Sequence, residues 1–328
     1  MIISRTPLRI SFAGGGSDLA SFYSRAKGAV VSTTIDKYIY ITANRKFDGR
    51  IRASYSITEM VDSIDELRHD LIREALRLVG IPGGIELTSI SDIPSRGTGL
   101  GSSSCYTVGL LNAMHAYKGE YASRERLAQE ACRVEIEMCG SPVGKQDQYA
   151  AAHGGLNYIE FHTDGRVTVE PVICSPETRA QLQRNLLLVY TGLVRSAAPI
   201  LEQQNAGLQG DEESFRVTQQ MARYATETRD ALSDNDLAAF GEILHANWVA
   251  KKRLSSHISN PAIDEWYEAG RKAGAIGGKI LGAGGGGFLL FYAPREAHGD
   301  IVGSLPGLRP LDVAFETQGS AIAFYDAR

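Results

Sequence analysis

Apolar and polar residues alternate over several short stretches of this chain, and each stretch predicts a β-strand. The alternation is clearest over residues 8–12, 38–42 and 85–90, and residues 2–3 begin a similar pattern. Largely apolar runs add further predicted strands at residues 155–161, 185–190, 288–292 and 321–325. The pattern therefore predicts a chain whose first 60 residues are rich in β-structure and in which later strands alternate with helices.

Apolar residues at helical spacing predict the helices. Such spacing starts at Ile64 and continues to Leu78, after which Gly80 and Pro82 end the helix. An apolar helix follows at residues 105–117, and Ser123 is a suitable N-cap for the next one. The inner face of that helix carries four apolar residues, Leu127, Ala131, Val134 and Met138. The polar segment 202–234 predicts an exposed helix, helices continue to about residue 257, and another covers residues 261–272.

Three glycine-rich segments, at residues 14–18, 97–104 and 277–287, each adjoin a predicted strand. Glycine allows backbone conformations that other residues avoid. The serines that follow Gly101 suit the first turn of a helix, where unpaired amides and the helix dipole favour anions. Taken singly, the segments are compatible with a tight hairpin, close helix–strand packing and a flexible connection. Together they predict a phosphate-binding site.

The length and composition of the chain limit its domain organisation and partners. A chain of 328 residues exceeds what one hydrophobic core usually supports, so two domains are predicted, residues 1–180 and 181–328. A net charge of −4 gives no sign of nucleic-acid binding. No apolar run reaches membrane-spanning length, and the N-terminus begins as a strand rather than a signal peptide. The expected location is the cytoplasm, with no nucleic-acid or membrane partner.

The four cysteines, Cys105, Cys132, Cys139 and Cys174, include no Cys-x-x-Cys pair. They are predicted to be buried thiols in a reducing compartment rather than disulfides or zinc ligands.

Familiar phosphate-binding motifs are absent or incomplete. No Gly-Lys-Ser/Thr tripeptide completes a Walker A loop, and neither a His-Arg-Asp nor an Asp-Phe-Gly motif of protein kinases is present. The Gly-x-Gly-x-Gly run at residues 97–101 differs from the dinucleotide fingerprint and lies far from the first predicted βα unit. These observations disfavour a nicotinamide-binding oxidoreductase, which is kept as an alternative.

Three motifs, in order, resemble the signature of the GHMP kinases, which include galactokinase, homoserine kinase, mevalonate kinase and phosphomevalonate kinase. They lie at residues 6–18, 94–104 and 279–287, and they span most of the chain. The resemblance implies a two-domain α+β fold of the GHMP kinase type. Its N-terminal domain would be similar to ribosomal protein S5 domain 2 and its C-terminal domain would be ferredoxin-like. It also implies ATP and Mg²⁺ as cofactors.

The same resemblance implies the residues that carry out phosphoryl transfer. The nucleotide phosphates would lie against one continuous loop, consisting of Arg96, Gly97, Thr98, Gly99, Leu100, Gly101, Ser102, Ser103 and Ser104. Mg²⁺ would be bound by Ser103 and Glu135, with Glu130 and Glu137 as competitors for the second position. Asp147 would accept the proton of the sugar hydroxyl. Arg9 would orient Asp147 and stabilise charge on the attacking oxygen.

The implied substrate residues are Gly15, Gly16, Ser17, Asp18, Lys145, Arg195, Gly284 and Gly285. Asp18 matches an acidic residue that binds sugar hydroxyls in galactokinases, but the Glu and His of their motif are missing. The form Ala-Gly-Gly-Gly-Ser-Asp is similar to that of the heptose kinases of bacterial surface-polysaccharide synthesis and of fucose-type kinases. Arg195 and one of Lys145, Lys251 or Lys252 are expected to bind a phosphate on the substrate.

The expected reaction is phosphorylation of the anomeric hydroxyl of D-glycero-D-manno-heptose 7-phosphate, which yields the 1,7-bisphosphate. A kinase for fucose or another free sugar is the nearest alternative. A non-catalytic sugar sensor is a further alternative, although Arg9, Ser103, Glu135 and Asp147 are all present.

Overall fold

The structure, a computed structural model, describes residues 1–94 and 97–326. The strands, in chain order, are β1 (Ile2–Ala13), β2 (Gly28–Arg45), β3 (Ile51–Ser54), β4 (Thr58–Val61), β5 (Ile85–Ser91), β6 (Leu156–Phe161), β7 (Val167–Pro171), β8 (Leu186–Tyr190), β9 (Gly277–Ile280), β10 (Phe288–Tyr292), β11 (Arg309–Leu311), β12 (Phe315–Glu316) and β13 (Ala321–Tyr325). The α-helices are α1 (Ala20–Tyr23), α2 (Asp70–Val79), α3 (Ser102–Tyr117), α4 (Arg124–Cys132), α5 (Gln146–His153), α6 (Pro176–Asn185), α7 (Ala198–Gly210), α8 (Glu212–Ser233), α9 (Leu237–Lys252), α10 (Pro261–Lys272) and α11 (His298–Gly303).

The larger sheet is organised around the long strand β2. Its main path runs β13-β1-β2-β5-β3-β4, and β2 also pairs with β12 and β6, the latter continuing to β7. Its pairs are antiparallel except for β3 with β5. The β1–β2 register shifts after Pro7, which has no backbone amide to donate, and two residues later the Arg9 amide donates to Leu100 O at 3.1 Å. This contact attaches the second glycine-rich segment to the first strand.

Helix α3 packs on β1 and β2 and is flanked by α2, α4 and α5. Most of its side chains are buried, including Cys105, Val108, Leu111 and Met114. A helix that is apolar on all sides needs such enclosure. The first turn of α3, and the loop before it, are therefore held rigidly at one end of the sheet.

The smaller sheet has the order β11-β8-β10-β9, and its pairs are antiparallel. Residues 315–325 leave this region and return to the larger sheet, where β12 pairs with β2 and β13 with β1. The mixed helices and sheets agree with the predicted α+β class. The boundary near residue 180 stays a prediction, because the last strands rejoin the sheet formed by the N-terminal half. No helix among the described residues is long and apolar enough to cross a membrane.

Several predicted elements differ in detail from the structure. The helix predicted from Ile64 begins at Asp70, because residues 64–66 form a separate 3₁₀ turn. The segment 202–234 is interrupted at Asp211, which caps the N-terminus of α8 by accepting from the amides of Glu213 and Ser214. Its exposure was also predicted wrongly, since α8 buries one face against α9 and β2.

The helix predicted after Ser123 forms, and Ser123 caps it by accepting from the Arg126 amide. It continues as a π-helix over Arg133–Met138, a geometry that often marks functional sites. The cysteines are free, but the prediction that all are buried was wrong: Cys105 and Cys132 are buried, whereas Cys139 and Cys174 are partly exposed.

Candidate active site

A cavity of about 600 Å³ lies where the three glycine-rich segments approach one another. Its walls come from β1 and the turn after it, the start of α3, the loop before α5, the loop after β8, and helices α7 and α9. The residues predicted from the sequence that line it are Arg9, Gly15, Gly16, Asp18, Gly97, Thr98, Gly99, Gly101, Ser102, Ser103, Ser104, Asp147 and Arg195. The fold thus brings together positions far apart in the chain.

The glycine loop before α3 is held by the third glycine-rich segment. Gly97, Gly99 and Gly101 all have positive φ, near +70 to +77°, which side chains disfavour. A Cβ on Gly99 would lie 2.5 Å from the carbonyl oxygen of Leu281. The Phe288 amide also donates to Thr98 O at 3.2 Å. The β9–β10 hairpin therefore fixes the loop path, and the free amides at the start of α3 suit an anion.

Arg9 and Asp147 form a two-pronged ion pair on the cavity wall. Arg9 Nε donates to Asp147 Oδ1 at 2.7 Å, and Arg9 Nη2 donates to Oδ2 at 2.6 Å. The third guanidinium nitrogen, Nη1, donates to the carbonyl oxygen of Gly99 at 2.6 Å. Burial opposes the charge on Arg9, but attraction to Asp147 outweighs it, so the pKa of Arg9 is raised. One guanidinium thus joins the predicted proton acceptor to the phosphate loop.

Glu135 lies on the π-helix, beneath the first turn of α3, and is 1% exposed. Its Oε1 accepts from Thr107 at 2.7 Å and Ser103 at 3.3 Å, and its Oε2 accepts from Ser104 at 2.7 Å and Gln148 at 2.6 Å. Burial raises the pKa of Glu135; the hydrogen bonds from Thr107 and Ser104 oppose the shift. A carboxylate held this firmly, close to an exposed serine hydroxyl, is a suitable hard-oxygen site.

The predicted magnesium pair fits this arrangement. Ser103 makes the longest hydrogen bond to Glu135, and both side chains carry the hard oxygen atoms that Mg²⁺ prefers. The described residues contain no group of three or more His, Cys, Asp or Glu side chains suited to a metal. Mg²⁺ usually completes its coordination shell with water and substrate phosphates, so two protein oxygen atoms would suffice. Of the two competitors, Glu130 pairs with His115 and Arg126, and Glu137 is exposed.

Asp18 lines the same cavity as the phosphate loop. Its Oδ1 accepts from the Gly16 amide and from Gln146 Nε2, both at 2.9 Å. Burial raises the pKa of Asp18, the nearby charge of Asp147 raises it further, and these hydrogen bonds oppose the shift. A Cβ on Gly144 would lie 1.9 Å from Asp18 Oδ2, so glycine is required where the loop before α5 passes this carboxylate.

Two family models match the chain: the GHMP kinases N terminal domain over residues 67–155, and the GHMP kinases C terminal model over residues 228–304. The chain is also 32% identical to a D-glycero-alpha-D-manno-heptose 7-phosphate kinase of Campylobacter jejuni, over 93% of both chains. The chain belongs to the GHMP kinases. Its fold is accordingly the two-domain α+β fold of that family, as predicted.

Two further proteins are similar to this GHMP kinase. A crystal structure of a D-glycero-D-manno-heptose 1-phosphate kinase from Bacteroides thetaiotaomicron superposes with a TM-score of 0.80, 26% identity and coverage of 99% of this chain and 100% of that one. A bifunctional fucokinase/GDP-fucose pyrophosphorylase of Arabidopsis thaliana is 26% identical over 88% of this chain, which spans only 29% of that longer protein.

Several predicted site residues of this GHMP kinase do not line the cavity. Ser17 is buried with its hydroxyl bonded to backbone groups of the first turn. Lys145 is directed away, donating to Gly165 O at 2.8 Å and lying over the ring of Tyr23. Four others are outside the lining too, namely Leu100, Glu135, Gly284 and Gly285. Arg96 lies outside the described residues.

Other residues line the cavity that the sequence did not single out, among them Ser11, Gly144, Gln146 and Gln204. Gln146 positions Asp18, and Gln204 is buried on α7 with no hydrogen-bond partner for its amide nitrogen among the described residues. Gln146 adjoins Asp147 in the printed sequence, which was a usable signal. Gln204 carried none, because it lies in a segment of similar polar residues and only the fold selects it.

Two lysines of the second half are buried near this site. Lys279 donates to the carbonyl oxygens of Ser11 at 2.9 Å and Phe12 at 3.2 Å, so it ties β9 to β1. Lys251 lines the cavity and donates to the carbonyl oxygen of Gly282. Burial lowers the pKa of both lysines. Lys252, by contrast, faces outward and pairs with Asp264.

Proposed function

We propose that this GHMP kinase transfers the γ-phosphoryl group of ATP to the anomeric hydroxyl of D-glycero-D-manno-heptose 7-phosphate. The observation that carries the proposal is the Arg9–Asp147 pair, which places a carboxylate and a phosphate loop around one cavity. The identity with the Campylobacter jejuni relative supports the choice of sugar. We further propose a cytoplasmic location and a role in bacterial surface-polysaccharide synthesis.

The chemistry requires a proton acceptor next to the reacting hydroxyl. Both oxygens of Asp147 are bonded to Arg9, yet the side chain is 22% exposed and each oxygen has a further lone pair. Asp147 accepts the hydroxyl proton while the sugar oxygen bonds to the γ-phosphorus. The bond from that phosphorus to the bridging oxygen of ADP breaks, and ADP leaves. Arg9 holds Asp147 in place, and its charge favours the developing anion.

The nucleotide phosphates lie against the start of α3 in this proposal. Ser103 and Glu135 hold Mg²⁺, which neutralises phosphate charge when it is bound. Gly99 and Gly101 allow the backbone to approach the phosphates closely, since neither carries a side chain.

The substrate's own phosphate requires a free cation. Arg195 lines the cavity from the loop after β8, is exposed, and has no ion-pair partner among the described residues. Lys145 and Lys252 are engaged elsewhere, so the structure disfavours them as its companion. Lys251, the third candidate, lines the cavity and donates to the carbonyl oxygen of Gly282. We propose that Arg195 is the main cation for the distal phosphate, because a guanidinium pairs well with phosphate oxygens.

The test is the release of ADP with a panel of acceptors at equal concentration. Heptose 7-phosphate, heptose 1-phosphate, the unphosphorylated heptose, L-fucose, D-galactose and mevalonate are compared, and ³¹P NMR identifies the product. We expect the highest kcat/KM with heptose 7-phosphate and a new phosphorus signal from an anomeric phosphate. The names of two relatives place the substrate's phosphate on different carbons, so turnover of the first two acceptors decides between them.

Three results would contradict the proposal, one from this panel and two from separate measurements of sugar binding and thermal stability. Turnover with a free sugar alone would favour the fucokinase-like alternative. Sugar binding without any ATP turnover would indicate a sensor. Thermal stabilisation by NAD, but not by ATP with Mg²⁺, would favour an oxidoreductase.

A further inference from the structure

Lys251 is a buried ammonium in the cavity, and no carboxylate of the described residues forms an ion pair with it. It lies in the last turn of α9 and is 4% exposed. Its Nζ donates to the carbonyl oxygen of Gly282, and no carboxylate of the described residues lies within ion-pair distance of it. A buried charge without a partner is costly, although the negative end of the helix dipole eases the cost here. Such a cation is suited to an anionic ligand.

The contacts of Gly282 locate this ammonium near the reaction centre. A Cβ on Gly282 would lie 2.6 Å from Cα of Gly99, so the two backbones touch. The carbonyl oxygen of Gly99 in turn accepts from Arg9, which is paired with Asp147. Lys251 thus reaches Gly99 through Gly282, whereas Arg9 contacts Gly99 directly, and the two cations are close enough to repel each other. This is where the terminal phosphate of a nucleotide on the loop would meet a hydroxyl held by Asp147.

The free donors of these two cations differ. Arg9 directs three of its N–H groups at Asp147 and Gly99. Lys251 has three N–H groups and uses one of them on Gly282. In phosphoryl transfer the charge is spread over the equatorial oxygens of the transferred group, and fixed cations stabilise it most where water is excluded. Lys251 has the free donors and the burial for that role.

We propose that Lys251 is a further catalytic residue, which binds the oxygens of the phosphoryl group during transfer. The proposal rests on the proposed phosphoryl transfer but not on the identity of the sugar. In this proposal Lys251 does not bind the distal phosphate of the substrate, which Arg195 binds instead.

The surroundings of Lys251 also predict a pH dependence. The charged groups that face it are Arg9 and Lys279 from the strands, together with Asp18 and Asp147. Burial lowers the pKa of Lys251 to about 8, repulsion from Arg9 adds to the shift, and the two carboxylates oppose it. The charged form therefore dominates at pH 7 and is lost as the pH rises through about 8. A bound phosphate raises this pKa, because it favours the charged ammonium.

The test compares Lys251→Met and Lys251→Arg with Lys252→Met, a matched lysine on the same helix that pairs with Asp264 outside the cavity. We expect Lys251→Met to lower kcat by about 10²–10³-fold. The KM values for ATP and for the sugar phosphate should change by less than about threefold. Lys251→Arg should retain part of kcat and lose the alkaline decline that the wild type shows. Lys252→Met should match the wild type.

A second measurement does not depend on the sugar. The affinity for ADP–Mg²⁺ with aluminium fluoride, which imitates the transferred phosphoryl group, is compared with the affinity for ATP–Mg²⁺ by calorimetry. Lys251→Met should weaken the former at least tenfold more than the latter, with circular dichroism confirming the fold. If the heptose acceptors fail but this difference persists, the role of Lys251 stands and the proposed substrate is wrong. Equal weakening of both ligands would overturn the role, as would a higher KM for phosphorylated sugars at unchanged kcat.

Discussion

Replacing Asp147 with asparagine removes the proposed proton acceptor while it keeps the size of the side chain. Proton transfer by a positioned group contributes about 10²–10⁴-fold to a rate. We therefore expect kcat to fall by that factor, which corresponds to about 2.7–5.4 kcal/mol of transition-state stabilisation. The affinity for ATP–Mg²⁺ should change little, because the nucleotide loop takes its shape from Gly99 and the β9–β10 hairpin rather than from Asp147.

The same substitution should lower the free energy of unfolding. The Arg9 side chain is 4% exposed and makes two hydrogen bonds to Asp147. Removing one partner of a fully buried pair costs about 3–5 kcal/mol. Asp147 is 22% exposed, and asparagine retains one oxygen that can accept from Arg9. We therefore expect a smaller loss of about 1–3 kcal/mol, the cost of one unsatisfied buried donor.

The assay combines ADP release, calorimetry with ATP–Mg²⁺ and urea unfolding. The matched control is Asp164→Asn, since Asp164 also accepts from an arginine, Arg166, but at 53% exposure on the surface. That variant should lose little stability, because exposed ion pairs contribute little, and it should retain full kcat. A folded, ATP-binding Asp147→Asn enzyme with kcat within about tenfold of the wild type would refute the role of Asp147. Equal stability losses in the two variants would refute the reasoning about burial.

Further predictions concern the loop, the substrate phosphate and the metal site. Gly99→Ala should raise KM for ATP and lower the free energy of unfolding more than Gly119→Ala does. Both glycines have φ near +76°, but only Gly99 lies against Leu281. Urea unfolding and ATP titration check this, and equal losses of stability in the two variants would contradict it. Arg195→Ala should raise KM for the sugar phosphate at least tenfold and leave KM for an unphosphorylated sugar unchanged, and an unchanged KM for both would remove its role. Burial raises the pKa of Glu135 in the folded protein, so without Mg²⁺ protonation of this carboxyl stabilises the fold. This contribution to the free energy of unfolding is complete below the pKa of the unfolded chain, and it declines as the pH rises through the pKa of the folded state. Unfolding at several pH values should show this decline in the wild type and not in Glu135→Gln, and parallel curves would contradict it.

Local sequence was informative wherever one residue type and its neighbours decide the structure. The strand at Leu8, the cap at Ser123 and the end of α2 at Gly80 all follow from side-chain alternation, a capping hydroxyl and a left-handed glycine. The resemblance of three glycine-rich motifs predicted the family and placed Arg9 and Asp147 in one site. The structure brings those two residues into contact.

The local sequence pattern could not predict whether a given side chain faces the cavity or another part of the fold. Lys145 and Lys251 were both predicted candidates for binding the substrate's phosphate, yet Lys145 donates to Gly165 outside the cavity and Lys251 is enclosed within it. Ser17 follows the first glycine turn but bonds to the backbone of that turn. Spacing along the chain cannot decide such cases, because the partners come from distant segments.

The sequence by itself determined the family, most elements and the chemical types available to the site. The tertiary structure alone decided which of these side chains share the cavity. It showed that the third glycine-rich segment supports the phosphate loop, as the close approach of Gly282 to Gly99 requires. It also showed that β13 returns to β1, and that Lys251 is buried with no ion-pair partner in the part of the chain that the structure describes. The physical reason is that hydrogen bonds and burial depend on the packing of distant segments, whereas propensity and periodicity act over a few residues.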